Sequence, residues 1–335
     1  MKAFRSVNPR DVKEAVAMLG QPKAAIVGGG SDLLGMVKEH LVSPDVLVNL
    51  KAIPGLDRIE ASGGKVRIGG LATLDTLSRD PRIRKEYTVL AEAAEKVGTP
   101  QIRNAGTLAG NVCQRPWCWY FRNGFPCLKN GGNTCFSASG ENQFHAIFGG
   151  GPSYIVHPSD TAPALVALDA EFHIAGPSGE RVVLAADFFQ LPRVDAAREN
   201  VLAKDEVLTA VEVPQPGPGI VSTYHKVLDR ESWTHAVVSV AIVLELAKSR
   251  VIIGGYESKT AFCKSARVVL GGVAPIPWRL PKVEAMLTGK PITAELAAKA
   301  GEAAVEGARP LAKNKYKIPL TKSIVKRTIL SVANA

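Results

Sequence analysis

The chain has 335 residues, 46% hydrophobic and 21% charged, with 31 glycines, 22 prolines and a formal net charge of +10. That length buries at least one substantial core and makes two or three domains the expectation, while the glycine and proline counts point to an α/β or α+β build rather than a helical bundle. The basic residues are spread along the chain. Their densest cluster (Lys313, Lys315, Lys317, Lys322, Lys326 and Arg327) is interleaved with apolar residues, so it reads as a solvated face or a face for an acidic partner subunit, not as a nucleic-acid site.

No apolar run reaches the roughly 18 residues of a transmembrane helix. The start, MKAFRSVNPRDVKEA, lacks the apolar core of a signal peptide. No membrane insertion is expected, and the expected setting is cytoplasmic and reducing, which counts against disulfides.

Asp11–Leu19 has helical periodicity behind the start signal Asn8-Pro9. Ala24–Val27 reads as a short strand running into Gly28, Gly29, Gly30, Ser31, Asp32, Leu33 and Leu34. A strand, three glycines and a helix gather backbone N–H groups where anions bind. The run is not G-x-G-x-x-G, and a tight turn without a ligand is the plain alternative. Val46–Leu50 reads as a second strand. Strand-like pieces around Asp57–Ile59 and Val66–Ile68 flank a hairpin turn at Gly63-Gly64. Helical segments follow at Leu74–Ser78 and Val89–Val97, the second stopped by Gly98. Within Gln101–Asn111, Gly106, Ala109 and Gly110 permit close backbone approach, and Thr107 and Asn111 offer side-chain hydrogen bonds. A loop that merely turns is the alternative there.

Four of the five cysteines (Cys113, Cys118, Cys127 and Cys135) then follow with the spacing C-x4-C-x8-C-x7-C. Thiolates suit zinc, copper(I) or iron–sulfur clusters, so the crowding predicts a metal. The spacing lacks the C-x2-C pairs of zinc ribbons and the C-x2-C-x2-C run of bacterial ferredoxins, and so does not identify it. Trp117, Trp119, Tyr120, Phe121 and Phe125 lie between the cysteines and are suited to excluding water from a cluster. Inert thiols in an aromatic mini-core are the alternative. Cys263, alone in an expected strand, reads as core.

Ser153–Val156 reads as a strand ending at His157-Pro158-Ser159-Asp160, with an apolar helix over Thr161–Leu168. Ser159 or Asp160 caps that helix, or else Asp160 accepts hydrogen bonds from ligand hydroxyls. His157 reads as structural. Further strands are expected at Ala170–Ile174, Val182–Leu184 and Leu208–Val213. The proline- and glycine-rich run Pro214–Gly219 marks a domain boundary. Beyond it lie strands at Ser222–Lys226, Val237–Leu246 and Arg267–Gly271, and helices at Val283–Leu287, Thr293–Val305 and Leu320–Ala333. This tail holds no nucleophile or general-base constellation. Tyr224, His225, Lys226 and Arg230 are the polar residues nearest to a role.

Five of these segments, in this order, carry a resemblance: AIVGGGSDLL at 25–34, QIRNAGTLAGN at 101–111, HPSDTAPALVALDA at 157–170, YHKVLDR at 224–230 and LGGVAPIPWR at 270–279. The chain resembles, over nearly its whole length, the flavin-binding medium subunits of molybdenum hydroxylases, the xanthine dehydrogenase, carbon monoxide dehydrogenase and aldehyde oxidoreductase family. The resemblance implies an α+β fold: a two-lobed FAD-binding domain of the vanillyl-alcohol-oxidase-like type, with lobes at 1–55 and 56–214, and a C-terminal α+β domain of the carbon monoxide dehydrogenase flavoprotein type at 220–335. By motif, Val27, Gly28, Gly29, Gly30, Ser31, Asp32, Leu33 and Leu34 form one pyrophosphate loop. Thr107, Gly110 and Asn111 belong to the other, Asp160 binds polar groups of the nucleotide, and Lys226 lies near the isoalloxazine.

The insertion at about 112–148 is similar to that of a subset carrying a [4Fe–4S] cluster, and looks closest to the aldehyde oxidoreductase type. This implies Cys113, Cys118, Cys127 and Cys135 as ligands. Some relatives have a cysteine just before the HPSD motif, where this chain has Tyr154, which leaves Cys113 as the implied fourth ligand. The implied function is an electron relay. Electrons come from a molybdopterin-binding large subunit through a [2Fe–2S] small subunit to FAD here, and leave to an external acceptor. Co-export to the periplasm beside a partner with a twin-arginine signal is compatible with this. A metal-stabilised assembly subunit with vestigial flavin loops is the alternative. A stand-alone flavin oxidase is disfavoured because no substrate base is evident.

Overall fold

The computed structural model describes residues 1–232, 234–253 and 256–333. Three sheets follow one another along the chain. The first is parallel, in the order β1 (Arg5–Val7), β3 (Val46–Asn49), β2 (Ala24–Val27). Its cover is the helix Val12–Leu19, which Asp11 starts by accepting a 2.8 Å hydrogen bond from the Glu14 N–H, and which buries Ala15, Val16 and Leu19 on one stripe.

The second sheet is antiparallel, in the order β4 (Ile59–Ser62), β5 (Lys65–Gly69), β8 (Val207–Pro214), β6 (Glu171–Gly176), β7 (Gly179–Leu184). The hairpin at Gly63-Gly64 forms as expected, with φ of 60° and 76° at the two glycines, the left-handed pair a two-residue type I′ turn demands. Glu171, His173 and Glu212 converge on this sheet, but Lys65 and Arg67 pair with the two carboxylates at 2.5 and 2.8 Å, which accounts for the grouping as an ion-pair network.

The third sheet runs β12 (Trp278–Arg279), β11 (Tyr256–Gly271), β10 (Val238–Ile253), β9 (Ile220–Val227), with β13 (Lys290–Pro291) also on β11. Helices Pro281–Leu287, Ala294–Ala303 and Lys317–Ala333 accompany it, and Thr293 caps the second by accepting from the Leu296 N–H. Cys263 is fully buried in the apolar core of this sheet, as expected.

The helix Thr161–Ala167 is buried on every side, and it packs against both β10 and β11. A helix without a polar face belongs at the centre of a fold. Around it the second sheet and the third share one core, in which Tyr224, Ala241, Val243 and Val269 join Phe172, Phe188 and Leu165.

Ser153–Val156 corrects the sequence reading. The segment is irregular, and belongs to no ladder. Its backbone bonds go to neighbouring loops instead: Tyr154 accepts from the Ala146 N–H, and the N–H of His157 just beyond donates to Ala274. No helix among the described residues is long and apolar enough to cross a membrane.

Candidate functional site

Two glycine-rich loops meet where the first lobe abuts the second. A Cβ at Gly29 would stand 2.0 Å from the Ala105 carbonyl oxygen, and one at Gly28 would be 3.2 Å from Thr107 Oγ1. Gly30 turns the chain with φ of +75°. Only glycine lets the backbones approach this closely. The second loop is pinned to the second lobe, because the Leu108 and Ala109 N–H groups donate to Ala72 and Gly70. Thr107 Oγ1 accepts from the Gly110 N–H at 3.2 Å. The helices that follow the loops, Leu33–Lys38 and Leu108–Val112, are too short to carry much macrodipole. With the N–H groups of 108–111 spent inside the protein, the backbone N–H groups of the first loop are what the pair offers an anion.

These loops divide a continuous cleft. A cavity of about 520 Å³ lies on one side, lined by Gly106, Asp160, Arg230, Thr234 and His235 among others, and one of about 240 Å³ on the other, lined by Gly28, Gly29 and Gly30. Ser31, Asp32, Thr107, Gly110 and Gln114 border both. An elongated ligand with a polar middle fits such a shape: flat groups at the ends and a diphosphate across the glycines.

Asp160 forms the polar floor of the larger cavity. Ser159, not Asp160, caps the following helix, its Oγ accepting from the Ala162 N–H at 3.0 Å. The Asp160 carboxylate therefore points elsewhere. It accepts from Tyr224 Oη at 2.6 Å and from Lys226 Nζ at 2.7 Å. Burial pushes its carboxyl up, and the hydrogen bonds from Lys226 and Tyr224 pull it back. Burial and the adjacent carboxylate hold the Tyr224 phenol well above its ordinary value. Asn111 serves the same corner, its Oδ1 accepting from the Ser159 and Thr161 hydroxyls at 2.6 Å each.

The placement of the expected residues is uneven. Gly28, Gly29, Gly30, Ser31, Asp32, Thr107, Gly110, Asn111 and Asp160 all line the cleft. Leu33 lines the smaller cavity and packs against the insertion, while Leu34 is exposed and shields Gly30. Lys226 lines neither cavity: it stands behind Asp160 and also donates to the Lys96 carbonyl. Trp117 lies tilted against His235 with ring centroids 5.3 Å apart, and lines the larger cavity under the Arg122 guanidinium. No local signal marks Trp117 or His235 as neighbours, since 118 positions separate them (235 − 117).

The cysteine segment is held on three sides. Asp32 accepts from the Arg115 N–H at 2.9 Å and Arg122 Nη2 at 2.7 Å, and so fastens it to the first lobe. Buried Glu199 takes Lys129 Nζ at 2.5 Å, fastening it to the second. Asn314 and Lys317 donate to the carbonyls of His145 and Phe144, fastening it to the C-terminal helices. Inside, Cys118, Cys127 and Cys135 line one small void. An aromatic wall stands over it, with Tyr120–Phe125 and Phe125–Phe136 ring centroids 5.2 Å apart. His145 Nε2 lies 3.3 Å from Cys118 Sγ.

Cys113 does not join the other three. It ends the short helix of the second glycine loop, its N–H donating to Ala109, and its side chain packs against the core of the second lobe and lines the smaller cavity. Burial alone pushes its thiol up to about 12, whereas Cys118 also feels Cys135 and Cys127. Cys113 thus stands apart from the three cysteines that share the small void.

The family described as FAD binding domain in molybdopterin dehydrogenase matches residues 2–216, and the family described as CO dehydrogenase flavoprotein C-terminal domain matches 223–332. The aldehyde oxidoreductase FAD-binding subunit PaoB of Escherichia coli (strain K12) is 34% identical, over 99% of this chain and 98% of its own. Among solved structures, carbon monoxide dehydrogenase from Hydrogenophaga pseudoflava aligns with a TM-score of 0.74 at 28% identity, covering 99% of this chain and 97% of that one. Quinoline 2-oxidoreductase from Pseudomonas putida 86 aligns at 0.76 and 26%, covering 100% and 99%.

Proposed function

Since the chain belongs to the FAD-binding medium subunits of the molybdenum hydroxylase family and is a subunit of an oxidoreductase, we propose that it binds FAD in the divided cleft and relays electrons. They arrive from a molybdopterin-bearing subunit and a [2Fe–2S]-bearing subunit and leave to an external acceptor. The working units are the lobes 1–55 and 56–214, the second carrying the cysteine insertion at about 112–148, and the domain 220–335. Bound FAD supplies a carrier that accepts and releases electrons singly or in pairs. A [4Fe–4S] cluster in the insertion would supply a second, one-electron carrier.

The chain's own residues bind and orient. Backbone N–H groups of 28–33 take the diphosphate, while the 107–111 loop, its own N–H groups of 108–111 spent inside the protein, forms the opposite wall, with Gly29 permitting the contact between the loops. Asp160 accepts from polar groups of the ligand. Lys226 acts through Asp160, holding the carboxylate ionised and aimed, and Tyr224 fixes its second oxygen. Trp117 and His235 cover the larger cavity and keep water from the ring system. Trp117 directly precedes Cys118 in the chain, so the cysteine centre and the flavin cleft adjoin through one residue.

The observation that carries this reading is the buried Tyr224–Asp160–Lys226 arrangement at the floor of a cleft that two interlocked glycine loops divide. It is tested by flavin, iron, sulfide and zinc content of the chain purified without oxygen. One FAD per chain is expected, with iron and sulfide in equal amounts. A chain that takes up no flavin even on reconstitution with FAD would be an assembly subunit instead. FAD with zinc or no metal would keep the flavoprotein and make the insertion structural.

A further inference from the structure

We infer that the cysteine centre is a three-thiolate site: Cys118, Cys127 and Cys135 hold an iron–sulfur cluster, Ser153 faces its fourth corner, and Cys113 is not a ligand. This deepens the cluster reading above and rests on it.

The void is lined by those three cysteines together with Ser137 and Ser153, and Cys113 is not among its walls. Two polar side chains already touch individual sulfurs. Ser137 Oγ lies 3.1 Å from Cys135 Sγ, and His145 Nε2 lies 3.3 Å from Cys118 Sγ. Donors to different irons of one cluster stand farther apart than a hydrogen bond, so these two groups are partners of the sulfurs they touch and neither fills a fourth corner. Of the other polar wall residues, Lys129 is a cation bound to Glu199 and Tyr120 Oη accepts from the Glu141 N–H, which leaves Ser153, 3% exposed and on the far side of the insertion in sequence.

Single-zinc chemistry fits less well. Zinc–sulfur bonds of about 2.3 Å place tetrahedral thiolates about 3.8 Å apart. Among the described residues, no three cysteine or histidine donors lie within 4.8 Å of one another. A multinuclear cluster, whose thiolates bind different irons, does not require that close spacing. A hydroxyl is a harder ligand than a thiolate and binds iron less firmly in a sulfur-rich site, so the iron at the Ser153 corner is the one released first.

The test uses the full chain, anaerobically reconstituted, and treated with ferricyanide in the presence of an iron chelator. In that oxidation a [4Fe–4S]2+ cluster becomes [3Fe–4S]+, one Fe2+ passes to the chelator, and one electron goes to ferricyanide. Wild type is expected to release one iron per cluster and show the [3Fe–4S]+ electron paramagnetic signal. Ser153→Cys, which closes the corner with a thiolate, should retain its iron. Cys113→Ala should match wild type in iron and sulfide, whereas Cys127→Ala should lose both while keeping its FAD and circular dichroism, which controls for folding. An iron-replete wild type whose cluster is lost in Cys113→Ala, or a Ser153→Cys chain that releases iron as wild type does, overturns the ligand assignment alone. A wild type that takes up no iron and sulfide at all overturns the cluster reading and this inference with it.

Discussion

At Asp160 one carboxylate, 3% exposed, is held by a lysine and a tyrosine inside the fold. Removing one member of a buried pair leaves the other charge uncompensated and costs about 3–5 kcal/mol. Asp160→Asn is therefore expected to lower stability by about 3 kcal/mol in urea denaturation, and Asp160→Asn with Lys226→Met to cost less than the two single changes summed; strict additivity would show that the pair is not coupled. His157 makes a different prediction. Its ring is buried against Phe189, its Nδ1 accepts from the Ser159 N–H, and burial lowers its pKa from 6.5 to about 3. The unfolded chain takes up this proton below 6.5 and the folded chain does not until about 3. The stability it contributes is complete above 6.5 and is lost as pH falls through that window, by at most roughly 1.4 kcal/mol per pH unit. His157→Gln should flatten the dependence of unfolding free energy on pH between about 6 and 4, and an unchanged slope would remove His157 as its source.

The loops and the insertion act as elements, and for each one contact bears directly on the first lobe. Gly29→Val would drive a side chain into the Ala105 carbonyl, which is backbone and cannot move aside. The loops must part, and bound flavin, read from its visible absorbance, should fall at least tenfold; normal occupancy would dissociate the first loop from the site. The insertion depends on Asp32, whose carboxylate holds both the Arg115 N–H and the Arg122 guanidinium. Hydrogen bonds to a charged group contribute about 1.5–3 kcal/mol. Asp32→Asn should thus loosen residues 112–148 first, seen as faster amide exchange there with little change in the third sheet. Uniform acceleration across the chain would mean that Asp32 supports the whole fold instead.

For the whole molecule, the core that joins the second and third sheets matters most. Tyr224, Ala241, Val243 and Val269 close a cluster whose other members come from the second lobe. A fragment ending at 216 would leave that face open, and it is expected to bind a hydrophobic dye and to melt without a cooperative transition; a cooperative, dye-free fragment would show that the lobes fold alone. Much of this organisation was legible from residues alone because its signals are local: the helical periodicity of Asp11–Leu19, the Gly63-Gly64 turn, three glycines after a strand, and Cys263 as core. Where a run such as Ser153–Val156 bonds to loops instead of a neighbouring strand, the same local reasoning failed. The sequence by itself determined the family, the two glycine loops and the presence of a thiol-rich insertion, since each rests on neighbouring residues and their intrinsic conformational preferences. Only the tertiary structure decided that Lys226 stands behind Asp160, that Trp117 lines the larger cavity, and that Ser153 rather than Cys113 shares a void with the three cysteines. Those are contacts between positions distant in the chain, and they depend on how packed elements bring loops together, which residue type and spacing do not encode.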